Sequence, residues 1–219
     1  MIPEVQIDNT TFPIFSNKNT NIDFSKIKTA SLVASSGALL DNKFGKQIDE
    51  SDLIIRFNAA RVEGYEKHVG SRTDIRILNG HSFNGSTKKE VCLGHDPNFL
   101  SSLNNETFLV KSFNAQEFIE GVMLYINKTP INFLHHNFLM YCNSLVSKPE
   151  ASAGLVGVLL LVTLGIKPNL YGYGFYSESN DRVHYWEEVD PNWSTGHGFN
   201  EEKDIIDNLA NDNLINIVK

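Results

Sequence analysis

The feature that most limits what this chain can fold into is a succession of short apolar runs, each closed by turn residues. They lie at residues 31–34, 53–57, 75–78, 107–110, 138–141, 170–173 and 214–218. Runs of this length between Gly, Asn, Asp and Ser read as buried strands. Helical patterns occupy residues 115–126, 151–164 and 201–209. Strands alternating with helices predict an α/β chain, Rossmann-like, with a mainly parallel sheet covered by helices on both faces. Residues 1–28 are polar and irregular, and are expected to pack as a lead-in through Phe12, Ile14, Phe15 and Phe24. Residues 29–219 form one domain, a size at which a single core is well supported.

Composition removes several function classes. The chain is 41% hydrophobic and 21% charged, as an ordinary globular domain is. Lys plus Arg is 19 against 26 for Asp plus Glu, so the net charge is −7. Nucleic-acid binding rests on a basic surface that releases counterions, so no nucleic-acid partner is expected. The most apolar stretch, residues 154–166, falls short of the roughly 17–25 residues of a membrane span and reads as a buried core helix. Residues 1–10 hold Glu4 and Asp8 where a secretory signal would be apolar. Cys92 and Cys142 match no metal-ligand spacing. Two free thiols in a reducing compartment, the cytoplasm, are the expectation.

In an open α/β sheet a ligand sits beyond the carboxyl ends of the strands, where the strand order reverses. The loops there carry the chemistry. Ser35, Ser36 and Gly37 follow the first strand and form either a plain turn or a close approach to a phosphate or ribose. No Gly-Lys-Ser/Thr and no Gly-x-Gly-x-x-Gly accompanies them. Asn58 ends the second strand and either caps its turn or presents a planar donor and acceptor to a base or sugar edge. Residues 68–74 read as scaffold, with Arg72 pairing with Asp74 or Asp52. Ser152, Ala153 and Gly154 open the apolar helix; Ser152 suits an N-cap, and the amides beyond it suit an anion, two roles that are compatible.

His184 and His197, in polar and aromatic loops, are the acid/base candidates, with His81, His95, His135 and His136 as bystanders. Glu201 and Glu202 follow His197, and either could orient or charge-tune its ring. No Asp-x-Asp segment is available to hold a divalent ion against a sugar diphosphate, so neither metal nor cofactor is expected. The run Tyr171, Gly172, Tyr173, Gly174 lacks the serine of a hydrolase nucleophile elbow.

Taken in order, these segments resemble the eukaryotic-type sialyltransferases of glycosyltransferase family 29, over roughly residues 30–202. The family's large motif is similar to residues 31–73: its Gly-Asn-Ser-Gly turn at 34–37, its Arg-x-Asn at 56–58 and its Val-Gly-Ser-Arg-Thr at 69–73. The small motif, Ser-Thr-Gly with a later Tyr-Gly-Phe-Gly, resembles Ser152, Ala153, Gly154 and residues 171–174. His-Tyr-Trp-Glu stands at 184–187, and the very small motif matches His197 and Glu202. Two positions depart from the family: its turn asparagine is Ser35 here and its threonine is Ala153. The cysteines that secreted-pathway members join are replaced by Ala30 and Gly165, in keeping with a cytoplasmic chain.

The resemblance implies a compact variant GT-A fold and metal-independent, inverting transfer of sialic acid from CMP-sialic acid to a glycan hydroxyl. The implied acceptor is galactose-terminated. By the same resemblance His197 is the general base, supported by Glu202, and His184 serves the departing phosphate. Ser35, Ser36, Gly37, Asn58, Ser152, Ala153, Gly154, Gly172, Gly174 and Tyr185 would hold the donor. Another CMP-activated keto-sugar, Kdo or Kdn, and a non-catalytic CMP-sugar-binding domain stay open as alternatives.

Overall fold

A computed structural model describes residues 14–15, 23–79, 102–103, 105–111, 130–173, 183–187 and 198–219. Seven strands build one sheet: β1 Ala30–Val33, β2 Leu53–Phe57, β3 Ile75–Asn79, β4 Thr107–Lys111, β5 Ile131–Phe133, β6 Pro168–Tyr171 and β7 Asn216–Val218. Among the described residues five α-helices accompany them: α1 Gly45–Asp49, α2 Glu66–Val69, α3 His136–Ser144, α4 Ala153–Thr163 and α5 Phe199–Asn211. Every strand pair is parallel. The order is β5-β4-β3-β2-β1-β6-β7. The chain therefore travels outward from β1 to β5, returns through α3 and α4, and resumes at β6 on the other side of β1. That reversal sets the switch point between β1 and β6.

The expected α/β class holds, with helices against both faces. On one face, α3, α4 and α5 bury Phe138, Leu155, Leu160 and Ile206 against alternate residues of the strands, such as Leu32, Ile55 and Ile77. On the other, α1, α2 and the 3-10 turn Gly37–Asp41 contribute Ile48, Val69 and Leu39 against Val33 and Ile54. In the lead-in, Ile14 is buried in the first core, and Phe15 stacks on Phe24 with ring centroids 5.6 Å apart. Phe12 lies outside the described residues.

One expected strand is corrected. Residues 138–141 belong to α3, where Phe138, Leu139 and Cys142 turn a helical stripe inward behind an N-cap by the His135 side chain. The true neighbour of β4 is Ile131–Phe133, three residues at the sheet edge, too short and too polar at Asn132 to stand out in the sequence. The helical pattern at residues 115–126 lies outside the described residues. So does Cys92; Cys142 is a free, buried thiol.

Helix α4 has no polar face, and eight of its residues are buried. It crosses the sheet closely because Gly157 lets it: a Cβ there would sit 2.9 Å from Phe57 Cε1 and 3.2 Å from Ile77 Cδ1. No described helix is long and apolar enough to cross a membrane.

Two guanidinium groups lie buried among the strands. Arg56 donates from Nε to Thr73 Oγ1 at 2.9 Å and from Nη2 to the carbonyls of Val69 and Arg72, tying the 69–73 loop to β2. Arg76 grips Glu106 through Nε and Nη2 at 2.6 and 2.9 Å, and its Nη1 donates to the carbonyls of Asn58 and Ala60, both at 2.8 Å. Of the two partners expected for Arg72, Asp74 is the one met, through both carboxylate oxygens at 2.7 Å. Asp52 instead accepts from the Lys28 and Thr29 amides.

Two outcomes follow from this packing. Gly157→Ala is expected to cost about 1–3 kcal/mol in urea unfolding, because the added methyl meets an aromatic ring within a filled core. Burial pushes the Cys142 thiol up to about 12, so at pH 8 it carries almost no thiolate. Iodoacetamide should leave Cys142 unlabelled in native protein and label it in guanidinium, as read by peptide mass spectrometry.

Candidate active site

The described candidate residues gather at the carboxyl edge of the sheet, around the switch point. β1 runs into Ser35 and Ser36, and Ser36 Oγ accepts from the Ala38 amide at 3.2 Å, capping the turn that begins at Gly37. β6 ends at Tyr171 and passes into Gly172, whose φ of 75° belongs to the left-handed region. A Cβ on Gly172 would stand 2.8 Å from Leu39 Cγ, so glycine is required both for the turn and for its contact with the opposite loop.

Asn58, just beyond β2, adopts φ 46°, a conformation that Asn tolerates better than most residues. Its Oδ1 accepts from the Asn79 amide at 3.0 Å, and its own carbonyl takes the Arg76 guanidinium. The turn is therefore held from two sides. Asn79 closes β3, and its Oδ1 is buried with no partner among the described residues. Sequence reasoning missed Asn79; the only signal is a polar residue at the end of an apolar run, Ile75 to Leu78.

Ser152 performs the expected N-cap, its Oγ accepting from the Leu155 amide at 3.1 Å. Its remaining donors go to one carboxylate. Glu202 Oε1 accepts from Ser152 N at 2.8 Å and Oε2 from Ser152 Oγ at 2.5 Å, and Glu202 is fully buried. Glu201 treats Ser147 the same way, taking its amide at 2.6 Å and its hydroxyl at 2.5 Å. Those two bonds hold the Glu201 carboxyl below its ordinary range. The first turn of α5 thus clamps the loop leading into α4. His197, which Glu202 was expected to support, lies outside the described residues, as does Gly174. Gly154 passes its carbonyl to the Tyr173 hydroxyl at 3.2 Å. Burial, and then the nearby Glu202 carboxylate, push the Tyr173 phenol well above its usual value, so it stays a donor.

His184 sits in a short antiparallel bridge with Glu187 and is 8% exposed. Its Nδ1 meets Glu187 Oε1 at 2.5 Å, and its ring stacks on Trp186 with centroids 4.6 Å apart. An ionised carboxylate only accepts, so Nδ1 carries a proton and Nε2 is the nitrogen turned away from it. Glu187, three residues on, was not among the sequence-derived site residues, although the i, i+3 spacing was visible. Tyr185 turns its side chain into the core against Tyr65, and its hydroxyl donates to the Arg61 carbonyl. Burial pushes that phenol up to about 12. Its tie to the site is through the backbone: Tyr185 N donates to the Ser35 carbonyl at 2.8 Å, docking the 183–187 segment on the exit of β1.

An all-parallel sheet with its functional loops at the switch point defines a Rossmann-like α/β protein, and two solved mammalian sialyltransferases share that fold. One, in complex with Gal-beta-1-3GalNAc-ortho-nitrophenol, superposes with a TM-score of 0.68 at 22% identity, covering 88% of this chain and 70% of that one. Another gives 0.67 at 22% identity, over 88% and 69% of the two chains. Residues 4–214 match the family profile of glycosyltransferase family 29 (sialyltransferase), and the chain belongs to that family. A beta-galactoside alpha-2,6-sialyltransferase 2 of Danio rerio is 30% identical over 179 residues, 74% of this chain and 35% of that protein. Its Homo sapiens counterpart is 27% identical over 179 residues, 74% and 34% of the two chains. The chain spans about a third of the length of the curated relatives it matches.

Removing the Glu202 carboxylate leaves two Ser152 donors without an acceptor in a buried place. Glu202→Ala is expected to lower stability by about 1–3 kcal/mol in chemical denaturation. Glu202→Gln, which retains one acceptor oxygen, should lose less.

Proposed function

We infer that this chain is the catalytic core of a CMP-sialic acid-dependent sialyltransferase acting on a glycan hydroxyl. The observation that carries the reading is the His184–Glu187 pair, 2.5 Å apart and docked on the exit of β1 by the Tyr185 amide. An imidazole whose Nδ1 is held by a carboxylate presents Nε2 in a fixed direction, as a group must to meet charge developing on a leaving phosphate. Family membership supports the donor class. The relatives are named for beta-galactosides, which supports a galactose-terminated acceptor.

In this reading Ser35, Ser36, Gly37, Asn58, Gly172 and Gly174 surround the nucleotide, and Asn79, whose Oδ1 has no partner among the described residues, faces the donor. The first amides of α4, at Ala153 and Gly154, face the anionic part of the donor at the positive end of the helix dipole. His197 takes the proton from the acceptor hydroxyl as that oxygen bonds to the anomeric carbon on the face opposite the leaving group. The bond from the anomeric carbon to the phosphate oxygen breaks, its electrons leave with CMP, and His184, as an imidazolium with Nδ1–H on Glu187, donates from Nε2–H to the phosphate. Glu202 acts one step removed, by fixing Ser152 and so the start of α4. No metal takes part.

The test is CMP release from CMP-sialic acid in EDTA, with and without a galactose-terminated acceptor, beside His197→Ala. Acceptor-stimulated release that persists in EDTA and falls by about 10²-fold or more in the variant is the expected result. Undiminished release by His197→Ala would remove the assigned base. Turnover with CMP-Kdo in place of CMP-sialic acid would move the donor assignment to that keto-sugar, and CMP binding without turnover of any donor would favour a binding-only role.

A further inference from the structure

Lys111 ends β4, yet its side chain is only 3% exposed. It projects to the same face as Leu109, the face that α4 covers. Its Nζ donates to Glu150 Oε2 at 3.0 Å, and that glutamate side chain is 50% exposed. Cys142, the other titratable group set against it among the described residues, is held as a neutral thiol and supplies no counter-charge. An ammonium has three donors, and burying it against one half-exposed carboxylate compensates its lost hydration poorly. Such a placement suits a cation that meets a second anion.

The neighbourhood narrows what that anion would be. Lys111 lies in register with Asn79, so the two side chains share a face at the carboxyl edge. Asn79 Oδ1 is itself buried without a partner among the described residues, which leaves a polar atom beside the ammonium for a hydroxyl or amide to meet. Glu150 stands just before the Ser152 cap, so the pair borders the start of α4. From β1 to β4 is three strand spacings, about 14 Å. On the CMP-sugar reading, a nucleotide held by the loops after β1, β2 and β6 leaves the β4 end for the sugar it carries.

We propose that Lys111 binds the C1 carboxylate of the donor's keto-acid sugar, with Glu150 holding the ammonium in place. This makes Lys111 a determinant of donor class that selects acidic keto-sugars over neutral ones, and it rests on the CMP-sugar reading given above. The ligand needed is a carboxylate next to the anomeric carbon, flanked by hydroxyl or amide donors for Asn79.

Calorimetry with three probes tests it: CMP, a 3-fluoro CMP-sialic acid that resists transfer, and the C1 methyl ester of that analogue. The unaltered protein should bind the acid more tightly than the ester. Lys111→Met, an apolar replacement of similar shape that a buried site tolerates well, should weaken the acid by about tenfold or more, keep CMP within about twofold and abolish the preference over the ester. Lys111→Arg should restore the preference. Equal weakening of CMP and the acid, an unchanged acid affinity in Lys111→Met, or no acid-over-ester preference in the unaltered protein would each overturn the proposal while leaving the CMP-sugar reading intact. Absence of CMP binding by the unaltered protein would remove both.

Discussion

A helix without a polar face has to be covered on every side, and α4 dictates much of this molecule by that requirement. Its buried residues fix it over the middle of the sheet, with Gly157 against Phe57 setting the distance. Once the helix lies there, its first turn must fall at the carboxyl edge, where the amides of that turn have no helical acceptor. Ser152 takes one of them, and Glu202 absorbs the donors that Ser152 has left. The polar chemistry of the site thus begins as a solution to a packing problem.

The opposite face solves a different one. Two arginines inside a sheet are costly unless their donors are met. Arg76 meets four oxygens, two from Glu106 and two backbone carbonyls, and in doing so shapes the turn at Asn58. Arg56 holds the 69–73 loop, although its Nη1 finds no partner among the described residues. The 69–73 loop is scaffold, as its sequence suggested: Arg56 meets both Thr73 and Val69, while Asn58, two residues on from Arg56, stands at the carboxyl edge.

Much of this was legible in the sequence because periodicity reports burial. β2 spans the residues expected for it, and β1, β3, β4, β6 and β7 differ from expectation by a residue or two at their ends. The failures have physical causes. Residues 138–141 look like a strand because a one-turn apolar patch and a buried strand share a pattern, and only the cap at His135 and the inward Cys142 distinguish them. Ile131–Phe133 is an edge strand whose pairing, not its composition, defines it. In the site, residue types at strand ends could be read, but contacts between distant segments could not: Ser147 with Glu201, Ser152 with Glu202 and Lys111 with Glu150 join residues with no local pattern in common.

The 183–187 segment is fastened by its own middle, through the Tyr185 ring in the core and its amide on Ser35. His184 therefore takes its bearings from β1 and from Glu187 rather than from the chain leading to it. A displacement of the β1 exit would carry the imidazole with it, so the strand and the histidine behave as one mechanical unit.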